Sequence, residues 1–242
     1  MINQLESEGR FNAFNNYHKV LIYDLINHKE SEILYESLLG NEETRSIRLI
    51  QSYALYLRRV GKSEESLSVV NNYLQASSDN PIIQESRYNY FNKNLTRNIN
   101  SVDDGIAEAF YATAKALSET EDFFLSTIFI RLAIILRPSS SISYILLNEI
   151  LEQRGEWALA IEPLDKLNSD TPLGEYSKIK IARNLNRLSR GDEAFKLLNG
   201  YILKNPETIE VFEALGDLYR SKKMWLKAAE SYKQAINKKK LI

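Results

Sequence analysis

The chain has 242 residues, 44% of them hydrophobic and 26% charged, the proportions of a folded chain able to bury a sizeable core. Its 31 lysines and arginines against 32 aspartates and glutamates leave a formal net charge of −1, so no global field draws in nucleic acid or an anionic membrane, and charged recognition has to be local. Without cysteine there is no disulfide, no thiolate nucleophile and no cysteine-held metal centre, while reducing and oxidising compartments both stay open.

The opening residues MINQLESEGRFNAF are acidic and polar where a secretory signal needs a basic start and an apolar stretch. The longest apolar-rich segment, Phe123–Leu136, is interrupted by Ser126, Thr127 and Arg131 and falls short of the ~20 residues of a membrane span. Nine glycines and five prolines are too few to punctuate a sheet protein, so helix is expected throughout. A faint helix pair is read over residues 12–45, with Ser31, Tyr35 and Leu38 in its second helix. A clearer pair begins near Ile47 and carries Ala54, Leu57, Gly61, Ser66, Val70 and Tyr73. Residues 79–105, richer in Asn and Arg, read as one irregular helix with flanking loops.

From Ala107 onward the sequence is periodic. Pro138, Pro172 and Pro206 stand 34 apart, and so do Ser126, Ala160, Ala194 and Ala228. This spacing predicts four units, 107–140, 141–174, 175–208 and 209–242, each of two antiparallel helices turning near 120–123, 155, 191 and 222–223. Small residues in the first helix (Ala114, Ala182, Gly216) and the second (Ala160, Ala194, Ala228) allow close backbone approach. The prolines are expected to end the second helices. Asn148 breaks the small-residue rule, and looser packing is expected around it. The preceding chain divides into degenerate repeat-like helices at 1–80 and an irregular linker at 81–106.

The last unit reads Phe212-x-x-Leu215-Gly216-x-x-Tyr219, then Ala228-x-x-x-Tyr232-x-x-Ala235. It resembles the tetratricopeptide repeat at each core position, with Phe212 for the usual Trp and Tyr232 for the usual Phe. The resemblance implies an all-α, right-handed superhelical solenoid of antiparallel helix pairs. Three further stretches, Tyr17-His18 with Leu21-Ile22-x-Asp24-Leu25, Leu57-Arg58-Arg59-x-Gly61, and Gly105-Ile106-Ala107-Glu108-Ala109-Phe110, resemble an internal section of the long tetratricopeptide proteins of alphaproteobacteria. That implies a bacterial, non-catalytic chain continuing through more repeats and exported to the periplasm, whereas the residues as written, without a signal, read as cytoplasmic, so the compartment stays open.

The family's concave face, carried over by resemblance, would be built from Ile142, Ile145, Leu146, Glu149, Glu152 and Gln153 in one unit and Tyr176, Ile179, Lys180, Arg183, Asn186 and Arg187 in the next. Five apolar residues among these would make an exposed floor for an amphipathic helix or an extended peptide. Lys180, Arg183 and Arg187 share one helix face, either to clamp ligand carboxylates or to pair with Glu149 and Glu152. Arg48, Arg58 and Arg59 form a looser cluster. The two-carboxylate clamp of chaperone-binding members is absent, since neither its sixth nor its ninth positions (Leu146, Lys180, Ala214; Glu149, Arg183, Asp217) hold asparagine.

Chemistry for turnover is missing: His18 and His28 lie ten apart, unlike a helical metal pair, and no phosphate loop or nucleophile elbow occurs. No catalytic residue, metal or cofactor is expected. Arg87, Tyr88, Tyr90, Phe91, Lys93 and Arg97 faintly resemble an RNA-binding surface. The reading is a scaffold that binds a protein or peptide, with a nucleic-acid-binding repeat and a non-catalytic arm of a larger enzyme as its rivals. The last helix, with no capping helix to follow, is expected to leave Trp225, Ala229, Tyr232 and Ile236 partly uncovered, a patch suited to end-to-end self-association.

Overall fold

A computed structural model describes residues 12–42, 44–75, 78, 80–95, 97–203 and 208–239. Among the described residues there are thirteen α-helices and no strand. They are α1 (Asn12–Leu25), α2 (Ser31–Gly40), α3 (Ile47–Arg59), α4 (Ser63–Tyr73), α5 (Pro81–Asn92), α6 (Val102–Glu119), α7 (Phe123–Leu136), α8 (Ser141–Gln153), α9 (Trp157–Leu164), α10 (Pro172–Arg187), α11 (Gly191–Ile202), α12 (Ile209–Ser221) and α13 (Trp225–Lys239).

The repeat is written most clearly in its turns. Asn27, Gly61, Glu121, Gly155, Ser189 and Lys223 all hold positive φ, between 54° and 88°. The residue after each donates its N–H to the carbonyl five positions back: His28 to Tyr23, Lys62 to Leu57, Asp122 to Leu117, Glu156 to Leu151, Arg190 to Leu185 and Met224 to Tyr219, all at 2.8–2.9 Å. This is the left-handed C-terminal cap that satisfies the orphan carbonyls of a helix end and reverses the chain. The capping residues step by 34 within each run, and by 60 from Gly61 to Glu121, where α5 and its flanks are inserted.

Side-chain bonds tie the two helices of a pair at the close-approach positions. Ser66 Oγ donates to Ala54 O and Ser126 Oγ to Ala114 O, both at 2.6 Å. In α8–α9 the direction is inverted: Asn148, fully buried, donates to Ala160 O at 2.9 Å. The looser packing expected at Asn148 is replaced there by a specific interhelical bond.

Of the three period-spaced prolines, Pro172 acts differently from expectation. Pro172 opens α10 at its first turn, behind the Thr171 cap, where a missing N–H costs nothing. Pro138 lies in the turn two residues beyond α7. Pro206 is outside the described residues. Pro163, by contrast, sits inside α9 and limits it to eight residues.

The chain forms two compact units, residues 1–140 and 141–242. Unit 1 holds α1–α7 around Tyr35, Leu49, Leu55, Leu57, Val70 and Leu74, all fully or almost fully buried. Unit 2 holds α8–α13, with Ile179, Leu198, Val211 and Leu218 at its centre.

The candidate binding cleft of unit 2

In unit 2 the first helices of successive pairs, α8, α10 and α12, pack side by side. Where α10 meets α12 their solvent-facing stripes leave a cleft of about 400 Å³, lined by Arg183, Asn186 and Arg187 from α10 and by Ala214, Asp217, Arg220 and Ser221 from α12. The α12 residues follow 180, 183, 186 and 187 by one 34-residue period, so the cleft is one repeat position set facing its own next copy.

Its polar groups are held in place. Ser221 Oγ donates to Asn186 Oδ1 at 2.8 Å, joining the two helices. Asp217 Oδ1 accepts from Tyr232 Oη at 2.7 Å and from Arg220 Nη2 at 3.0 Å. Burial, reinforced by the bond to Asp217 and its charge, raises the Tyr232 phenol above its ordinary value, so it stays a donor. Arg183 Nη2 makes a long pair with Glu213 at 3.6 Å, and its buried Nε has no partner. Arg187 lies over the Trp157 ring at 5.4 Å and makes no ion pair among the described residues. Three guanidinium groups therefore face one carboxylate that is already doubly bonded, and a second, Glu213, at the rim. The arrangement favours an incoming anion, which Arg187 can meet with its fork of donors without breaking an existing pair.

The expected exposed apolar floor is not there. Ile145 and Leu146 are buried, Ile179 is fully buried, and Ile142 and Tyr176 are half-buried. α10 is packed by helices on both sides, so positions read as groove floor face neighbouring helices instead. Lys180 is buried and spans to Glu152 Oε2 at 3.0 Å, the internal pairing that was its alternative role. Glu149 is exposed on α8. Of the twelve concave-face residues read from sequence, Arg183, Asn186 and Arg187 line the cleft. Asn186 was placed on the concave face without being singled out, and Asp217, Arg220 and Ser221 were missed, though adding 34 to the α10 positions finds them.

Other sequence candidates take structural roles. Among the described residues no group of three or more metal-ligating side chains forms. His18 Nδ1 bonds Phe14 O at 2.8 Å, and Glu30 N donates to His28 Nδ1 at 3.2 Å. In the basic and aromatic stretch of α5, Arg87 donates to Leu74 O at 2.7 Å and Tyr90 is buried, so both serve the fold of unit 1. On α13, Trp225, Ala229 and Ile236 are exposed as expected, while Tyr232 is half-buried. No described helix is long and apolar enough to cross a membrane.

A scan against protein-family models finds no match, and a search of the curated proteins finds none either. Among solved structures, the chain is similar to a putative kinesin light chain of Podosopora anserina with nearly identical TPR-like repeats. The identity is 14%, 80% of this chain and 94% of that one are covered, and the TM-score is 0.50. Lower scores are found with MamA from Desulfovibrio magneticus RS-1 (15% identity, 80% and 95% covered, TM-score 0.47). YrrB, described as a TPR protein with an unusual peptide-binding site, gives 16% identity, 84% and 91% covered, and a TM-score of 0.44. With its 34-residue recurrence of turns and the likeness to TPR-like repeats, the chain has the all-helical repeat fold of the tetratricopeptide-repeat proteins.

Proposed function

We propose that this chain is a non-catalytic protein-interaction scaffold whose unit 2 anchors an extended peptide or helix by an acidic side chain or carboxylate seated in the α10–α12 cleft. One observation carries the reading: Arg187, the least engaged guanidinium of the cleft, is stacked on Trp157 and carries no ion pair among the described residues. A guanidinium fixed in orientation by an aromatic face loses little entropy when it binds an anion. Arg183, whose Nη2 makes only a long pair with Glu213 at 3.6 Å, places a second guanidinium beside it. With no apolar floor beneath, affinity rests on charge-assisted bonds, and specificity on the spacing between the anchor and the half-buried Ile142 and Tyr176.

Fluorescence anisotropy of the full chain with a labelled peptide carrying Glu at helical spacing, and with its Gln counterpart, tests the reading. The Glu peptide should bind and the Gln peptide should not. Arg187→Glu should weaken binding about tenfold or more, the worth of one charge-assisted bond. Added salt should weaken it further. Equal binding of the two peptides, or indifference to Arg187→Glu, would contradict the assignment.

A further inference from the structure

In unit 1 the corresponding face is already covered, by the chain's own segment. Along α3, Arg48, Ser52 and Arg59 share one stripe with Arg58 beside it, by helical spacing. The cover comes from residues 93–95 and 97–101, between α5 and α6, and from the first turns of α6.

The contacts run in order from the last turn of α5 into α6. Arg58 donates through Nη1 to Tyr90 O at 2.8 Å and through Nη2 to Leu95 O, with its guanidinium 4.7 Å from the Tyr90 ring. Arg97 reaches α1, where its Nε meets Asp24 Oδ1 at 3.2 Å and its Nη2 meets Asn27 Oδ1. Asn98 Nδ2 donates to Ser52 Oγ at 2.8 Å, and both residues are buried. Ile99 is buried next to them. Glu108 then takes the Arg48 guanidinium on both oxygens and the Tyr17 hydroxyl on Oε1 at 3.2 Å.

The receiving side is built without the latch residues. Asp24 is positioned by Tyr35 Oη at 3.1 Å and by Arg59, both from the helices of unit 1 that precede the segment. The core beneath, Tyr35, Leu49, Leu57 and Val70, does not include Ile99, while Leu95 packs against its edge. Leu95, Arg97 and Asn98 answer α1 and α3 from outside any helix, while Tyr90 and Glu108 do so from the end of α5 and the second turn of α6.

We propose that α1 and α3 form a second recognition groove, for an extended peptide offering in order a backbone carbonyl, a guanidinium and a carboxamide, and that the chain closes this groove with its own residues 95 and 97–99. Tethering places the internal segment at an effective concentration on the order of millimolar, so a free peptide of the same chemistry is excluded until the latch is removed. The inference rests on unit 1 alone and stands whether or not the cleft of unit 2 binds.

The test uses the full chain, wild type and with Arg97→Ala and Asn98→Ala together, and a fluorescein-labelled synthetic peptide of residues 93–109. The peptide should bind the double variant at least about tenfold more tightly than the wild type, because tethered competition is weakened. The same peptide with its own Arg97→Ala and Asn98→Ala changes should bind neither. Equal affinity for both proteins, or no binding to the double variant, overturns the proposal. Hydrogen exchange guards against simple unfolding: amides at 97–100 should exchange faster in the double variant while those of α3 and α4 keep their protection. Loss of protection throughout α3 and α4 would make the segment part of the fold and would likewise overturn the proposal.

Discussion

The ring of Tyr232 occupies the place where a side chain on Gly216 would begin: a Cβ at Gly216 would sit 2.4 Å from Tyr232 Cε1. The missing Cβ lets the ring lie against α12 and its hydroxyl reach Asp217 in the cleft. Gly216→Ala should destabilise the chain by about 1–3 kcal/mol through overpacking, although alanine is the better helix former. In a Tyr232→Ala background the same change should be neutral or stabilising. Urea unfolding of the four proteins checks this, and additive effects would contradict it.

Core and cleft residues of α10 should separate cleanly. Ile179→Ala removes a fully buried side chain and should cost about 2–5 kcal/mol. Arg187→Ala, on the exposed stripe, should stay within about 0.5 kcal/mol of wild type while reducing binding of the Glu peptide. Thermal unfolding beside anisotropy distinguishes the two, and a stable Ile179→Ala with lost binding would return Ile179 to the ligand surface.

Unit 1 should be sensitive to acid through Glu108. Burial opposes its charge, but the charge and hydrogen bonds of Arg48, with help from Arg137, prevail and hold the carboxyl below its ordinary 4.5. A carboxyl lowered in the folded state contributes stability that is fully present above the unfolded value and is lost as pH falls through the folded one. Unfolding midpoints should therefore drop as pH decreases below 4.5. Glu108→Gln should flatten that slope and cost about 3 kcal/mol at neutral pH, by leaving Arg48 without its counter-charge. An unchanged slope would remove Glu108 from the account.

The hydroxyls that bridge helix pairs should each stabilise the fold. Ser126→Ala deletes the bond to Ala114 O inside a fully buried contact and should cost about 1 kcal/mol, and Ser66→Ala, which loses both Ala54 O and the Tyr90 hydroxyl, should cost about 2 kcal/mol. Chemical denaturation of each variant measures it, and a gain in stability would mean that close approach alone matters there.

The sequence carried the helices and their turns from Ala107 onward because a 34-residue period repeats small residues and turn positions, and those depend on local backbone demands. Pro172 was misassigned because proline is equally at home after a helix and in the first turn of the next, and only the cap at Thr171 decides. The groove floor was misread because exposure depends on how closely neighbouring first helices pack. Ile145, Leu146 and Ile179 have the spacing of a concave stripe and still lie between helices. Arg48, Arg58 and Arg59 could be seen as a cluster, but their partners Glu108, Tyr90 and Asn27 lie 32 to 60 residues away in three different elements, at separations that the 34-residue period does not mark.

The central claim, that unit 2 anchors an acidic ligand in the α10–α12 cleft, is tested most directly by nitrogen-15 NMR of the full chain titrated with the Glu peptide. The largest shifts should fall on Arg183, Asn186, Arg187, Asp217, Arg220 and Ser221, leaving the outer faces of α11 and α13 unmoved. Saturable binding whose shifts lie elsewhere, or no binding at all, would contradict it.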